Sequence, residues 1–120
     1  MTNVVKLGFF GFENTGKEHE GFKQFLGVNE HIVFAFKGVR DELVFTNKRA
    51  IVLNIQGLTG RKKEFRFFHY NKLNNYAIES SGTFDLDSEV KFVIGSTQYE
   101  FELGKGVNVF AIAQLLSETV

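Results

Sequence analysis

From His31 onward the chain alternates apolar and polar positions with a period of two. Ile32, Phe34 and Phe36 alternate with Val33, Ala35 and Lys37, and Leu43 with Phe45 repeats the pattern. Ile51, Leu53 and Ile55 continue it, followed by Phe65 with Phe67 and by Tyr76 with Ile78. Val90, Phe92 and Ile94 precede Tyr99, Phe101 and Leu103, whose alternate positions are Gln98, Glu100 and Glu102. Such alternation predicts half-buried antiparallel strands with the apolar side turned inward. Short turn signals separate the runs: Lys37-Gly38, Thr46-Asn47, Gln56 to Gly60, Ser81-Gly82 and Gly95-Ser96. Seven short strands joined as hairpins form a meander that must curl or close to protect its edges.

The period changes near the C-terminus. After Gly104-Lys105-Gly106, the residues Val109, Ile112, Ala113, Leu116 and Val120 recur at helical spacing, with Asn108 as the N-cap. This helix is expected to close the open end of a seven-stranded barrel. A second helix is expected over about Gly16–Leu26, with Phe22, Phe25 and Leu26 on one face. The organisation expected is an N-terminal segment with a short helix over residues 1–28 and one globular domain over residues 29–120.

Composition narrows the chemistry. The chain has 120 residues, 15 of them Phe, and no Cys, Pro or Trp, so one phenylalanine-dependent core is expected. Without Cys there are no disulfides, zinc-thiolate sites or thiol nucleophiles, which fits a reducing cytoplasm. The apolar stretch Val4–Phe12 is short and broken by Lys6, so it reads neither as a signal peptide nor as a membrane span.

Net charge is zero, yet the layout is uneven. Between Thr46 and Asn75 seven basic residues, Lys48, Arg49, Arg61, Lys62, Lys63, Arg66 and Lys72, stand against Glu64 alone. From Tyr76 onward seven acids face Lys91 and Lys105. A basic middle can serve an anionic ligand or membrane surface. It can equally lie beside the acidic strands, within one subunit or across a subunit boundary.

A few motifs bear on chemistry. Gly11-x-x-x-x-Gly16-Lys17 has P-loop spacing, but Glu18 stands where a hydroxyl must reach magnesium, and no parallel framework follows. Thr15-x-x-Glu18 is instead a capping box that starts the first helix. Gly57-Leu58-Thr59-Gly60 has the spacing of a nucleic-acid clamp, yet it joins two strand-like runs, so a hairpin loop is expected and no nucleic-acid partner. Asp85-Leu86-Asp87-Ser88-Glu89 fails the calcium-loop template at Val90 and Ser96. His19, His31 and His69 are scattered; His69 continues the Phe65/Phe67 face and is expected to be partly buried. No catalytic constellation, cofactor motif or metal motif emerges.

Two stretches, RDELVFTNKRAIVLNIQGLTGRKKEF (Arg40–Phe65) and IESSGTFDLDSEVKF (Ile78–Phe92), resemble hallmark segments of the bacterial pleckstrin-homology (PH) domain family. The resemblance runs from about Asn29 to the C-terminus. It implies a mainly β, PH-like fold with seven antiparallel strands in two orthogonal sheets, closed by a C-terminal helix. It brings no catalytic residues, and it implies homo-oligomers, ring-forming in relatives, joined through strand edges. The leading expectation is therefore a non-enzymatic scaffold that self-assembles and binds an unidentified protein partner. Its candidate interaction surface is Arg40, Asp41, Asn47, Lys48, Arg49, Gln56, Thr59 and Lys62. Anion or membrane-surface binding through Lys48, Arg49 and Arg61–Lys63 is the alternative.

Overall fold

The structure, a computed structural model, describes residues 3–13, 18–80 and 87–119. Its strands are β1 (Asn3–Phe10), β2 (Phe12–Glu13), β3 (Ile32–Lys37), β4 (Glu42–Thr46), β5 (Arg49–Gln56), β6 (Lys62–His69), β7 (Asn75–Glu79), β8 (Ser88–Ile94) and β9 (Thr97–Leu103). A helix, α1 (Val109–Glu118), ends the chain. Strands β3 to β9 coincide with the seven runs of alternation. Two more precede them, so the expected count of seven becomes nine among the described residues.

The strands form two sheets, ordered β1-β9-β8-β7 and β2-β3-β4-β5-β6. The described strands are divided between the sheets with none in common, so the expected closed barrel is not present. β1 runs parallel to β9, and the chain then crosses at Gly11 into β2, which pairs antiparallel with β3. Close backbone contact at this corner requires glycine. The Gly104 amide donates to the Phe10 carbonyl (3.2 Å), and a Cβ on Gly104 would overlap the Gly11 backbone.

Between the sheets lies a core of phenylalanine rings. Phe45, Phe92 and Phe101 are fully buried, and Phe92 meets Phe101 at 5.0 Å and Phe45 at 6.4 Å, edge to face in both cases. Burial of each ring contributes about 1.5–3 kcal/mol, and the edge-on geometry adds to that. Helix α1 seals this core with Val109, Ile112, Leu115 and Leu116. Asn108 is the expected cap, its Oδ1 accepting from the Ala111 amide at 3.3 Å.

The face assignment needs correction on β5 and β6. Ala50 and Val52, not Ile51 and Leu53, point into the main core. Ile51, Leu53, Ile55 and Phe65 lie on the opposite face, gathered with Ala35 and Val44 into a second cluster beneath Phe22. His69 shares that outward side and is exposed, not partly buried.

The cover over this second cluster is Glu18–Phe25, where an α-helix was expected. It winds in 3₁₀ turns instead. Three residues per turn place i and i+3 on one side, which brings Phe22 and Phe25 together onto Phe65 at 5.9 and 4.6 Å. Four residues of the Thr15 capping box and P-loop stretch, Asn14 to Lys17, lie outside the described residues, as do Ser81 to Leu86 of the acidic motif.

Candidate functional site

The sequence-predicted surface residues fall at the two ends of β5, roughly 24 Å apart at the rise of an extended strand. At one end Arg40 Nη2 donates to the Gly57 carbonyl (2.7 Å), tying the β3–β4 turn to the β5–β6 turn. Asp41 Oδ1 accepts from the Ile55 amide at 2.9 Å. The amide orientation that satisfies both groups turns Asn54 Nδ2 toward Asp41 Oδ2, at 3.1 Å. Gln56 is partly buried at the end of β5, and Thr59 and Lys62 are exposed. Gly57 and Gly60 hold φ of +79° and +67°, and the Gly60 amide donates to the Gly57 carbonyl at 3.3 Å. A hairpin loop is thus in place between β5 and β6, with five residues, Gly57–Arg61, where four were expected.

At the other end of β5 a polar network closes the β4–β5 turn. Arg49 donates from Nε to Glu30 Oε2 (2.9 Å), from Nη2 to Glu30 Oε1 (3.1 Å), and from Nη2 to the Phe25 carbonyl (2.6 Å). The guanidinium also lies 4.9 Å from the centre of the Phe67 ring. Thr46, fully buried, accepts from the Lys48 and Arg49 amides at 3.0 Å each, and its hydroxyl donates to Glu30 Oε2 (2.7 Å). Asn47 accepts from the His31 amide and donates to the Asn29 carbonyl, both at 2.9 Å. Lys48 is exposed. Burial opposes ionisation of Glu30, but the Gly27 amide, Thr46 hydroxyl and Arg49 guanidinium outweigh it and hold the carboxyl below its ordinary range. Tyr70 donates to the Thr46 carbonyl at 2.8 Å, and burial, helped by the Glu30 charge, pushes its phenol far up.

Half of the predicted surface, four residues of eight, therefore locks turns. Arg40, Asp41, Asn47 and Arg49 spend their polar groups on backbone and on Glu30, and Arg49 is withdrawn from any anion site. Glu30, the centre of this network, was not singled out from sequence. Its side-chain partners, Thr46 and Arg49, lie 16 and 19 residues away, so no local spacing marks them.

Charge gathers on two other surfaces. Arg61, Lys62 and Lys63 are exposed where β6 begins. Across the other sheet, Glu79 faces Glu89, and Glu89 faces Glu102, in direct register. Like charges placed opposite each other destabilise a sheet. Lys91 relieves part of this, its Nζ 3.0 Å from Glu79 Oε2 and 3.8 Å from Glu89 Oε2. Burial, a hydrogen bond to Glu79 and the Glu100 charge raise the Glu89 carboxyl, so that it holds its proton to higher pH than an ordinary glutamate. An open cleft of about 270 Å³ lies here, lined by Glu79, Ser80, Asp87, Glu89 and Glu102.

Four strands have a partner on one side only among the described residues: β1 and β7 in one sheet, β2 and β6 in the other. β6 and β7 follow each other in the chain yet bound different sheets, and each exposes an aromatic side chain, Phe67 and Tyr76. No helix among the described residues is long and apolar enough to cross a membrane.

Comparison with known proteins agrees with this architecture. The chain is 40% identical over 92 residues to the uncharacterized protein YjqA of Bacillus subtilis, covering 77% of this chain and 74% of that one. A crystal structure from Shewanella loihica, described as a DUF1696 family protein with a pleckstrin-homology domain, superposes with a TM-score of 0.79 at 32% identity, covering 94% of this chain and all of that one. A pleckstrin homology domain from Shewanella amazonensis gives a TM-score of 0.64 at 34% identity, over 89% of each chain. The sequence profile of the bacterial PH domain matches residues 6–120, and the chain belongs to that family.

Proposed function

We propose that this chain is a non-enzymatic, cytoplasmic PH-like domain that self-assembles through strand edges and acts as a protein-interaction scaffold. One observation carries the reading: β6 and β7 are outer strands of different sheets, each with one side open. A heterologous contact joins β6 of one copy to β7 of the next and repeats around a ring. Charge favours an antiparallel pairing, which sets Lys63 against Glu79 of the neighbouring copy and Phe65 against its Ala77. The Glu79–Glu89–Glu102 row, strained within one chain, then gains the cations of Arg61–Lys63. Light scattering at tens of micromolar tests this. A multimer mass that falls with rising salt is expected, and a monomer mass at every salt concentration contradicts the reading.

A second reading, binding to an anionic membrane surface, is supported by Val39 and Leu58. Both are fully exposed, on the two turns that Arg40 ties together, and Arg61–Lys63 lie beside them. Aliphatic tips ringed by cations suit a bilayer interface. Lys48 and Arg49, at the far end of β5, take no part in it. Salt-sensitive co-sedimentation with phosphatidylserine vesicles is expected on this reading, and absence of binding at low salt removes it.

A further inference from the structure

We propose that strand-edge assembly of this chain is proton-linked: docking of a neighbour's basic β6 onto β7 drives a proton off the Glu79–Glu89 pair, so acidification takes the assembly apart. The inference rests on the β6–β7 assembly proposed above and adds its regulation. Its basis is the crowding of carboxyl groups on the outer face of the four-stranded sheet. Glu89, on β8, stands directly opposite Glu79 on β7 and directly opposite Glu102 on β9. The Glu79 and Glu89 carboxyls are in hydrogen-bond contact with each other. Two carboxylates have only acceptors, so that bond requires a proton on one of them.

The surroundings assign the proton to Glu89. Its side chain is 28% exposed against 64% for Glu79. Burial, the bond to Glu79 and the Glu100 charge raise it, while Lys91 holds Glu79 below the ordinary value. Two open clefts share Glu89 and Glu102, and Asp87 and Glu100 add their charge there. The cations on this face are Lys91, 3.0 Å from Glu79 and 3.8 Å from Glu89, and Lys6 on β1, which pairs in register with Glu100. Antiparallel docking sets Lys63 of the neighbouring copy against Glu79, on the face that carries Glu89, with Arg61 two residues along the same side. Added cations favour the ionised pair, so the assembly binds fewer protons than the free chain. Association therefore strengthens as pH rises and weakens as pH falls towards 4.5, the ordinary glutamate value. Glu30 is held below that value, so its network stays largely ionised over this range.

Two measurements on the full chain test it. In sedimentation velocity at constant ionic strength, the association constant should fall at least about tenfold between neutral pH and 4.5. Glu89→Gln should flatten that dependence to less than about threefold, and Glu100→Gln should move it to lower pH. In carboxyl NMR titration of the Lys63→Glu chain, whose docking is blocked, Glu89 should titrate above 4.5 and Glu79 below it. Glu89 titrating as an ordinary glutamate overturns the proposal whether or not the chain assembles. A multimer whose association ignores pH overturns it and leaves edge assembly standing, whereas a monomer at every pH removes both.

Discussion

The two faces of the five-stranded sheet are both apolar, yet they are covered in different ways. The inner face meets a second sheet and α1, and its rings interlock with elements distant in sequence. The outer face meets one eight-residue strap, Glu18–Phe25, anchored by Phe22, Phe25 and Arg49. An apolar side chain is therefore not worth the same on both sides. On the inner face a lost ring leaves a cavity that two sheets cannot close. On the outer face the strap can shift into the space.

The largest expected effect follows directly. Phe45→Ala should cost about 4 kcal/mol in urea unfolding, whereas Phe22→Ala, equally buried, should cost about 2 kcal/mol. Equal losses would mean that the strap is as integral to the fold as the main core. The corner between the sheets sharpens the inner side of the comparison. Gly104→Ala forces a methyl group into the Gly11 backbone and should cost roughly 2 kcal/mol by the same measurement.

The smallest of these effects concerns the strap's anchor and depends on pH. The native Glu30 carboxyl is held below its ordinary value of 4.5, so it contributes stability above that value. That contribution is lost as pH falls through the depressed native value. Glu30→Gln should therefore cost about 1.5 kcal/mol at neutral pH, a discounted figure because Arg49 keeps the Phe25 carbonyl and the Phe67 ring. The penalty should shrink as pH falls through that depressed value. In hydrogen exchange it should appear first at residues 21–26. A penalty independent of pH would remove the charge from the account.

How much of this was legible in the sequence depended on where periodicity was unique. Leu43 and Phe45, Val90 and Phe92, and Phe101 and Leu103 gave the right strands and the right inner face. On β5 every residue from Ala50 to Leu53 is apolar, so a period of two fits either parity, and the larger Ile51 and Leu53 pointed to the wrong one. β1 was missed because its pairing with β9 skips Leu7, between Lys6 and Gly8: Val5 and Leu7 face the core, and then Phe10 does, out of step. The Asn108 cap and the Gly57–Gly60 hairpin are local, and local chemistry announced them. The Glu30–Thr46–Arg49 network is held across 16 to 19 residues and left no such mark. The hallmark motif was recognised correctly as a family signature. Within it Arg40, Asp41, Asn47 and Arg49 fasten turns, and the proposed assembly rests on the open edges of β6 and β7.

Those edges carry the central claim, and charge reversal across them is its most direct test. In sedimentation velocity at tens of micromolar, the wild-type chain should run as a multimer. Lys63→Glu and Glu79→Lys should each reduce it towards monomer, and the doubly substituted chain should recover the multimer. A monomeric wild type, or a multimer unmoved by either single reversal, would contradict assembly through β6 and β7.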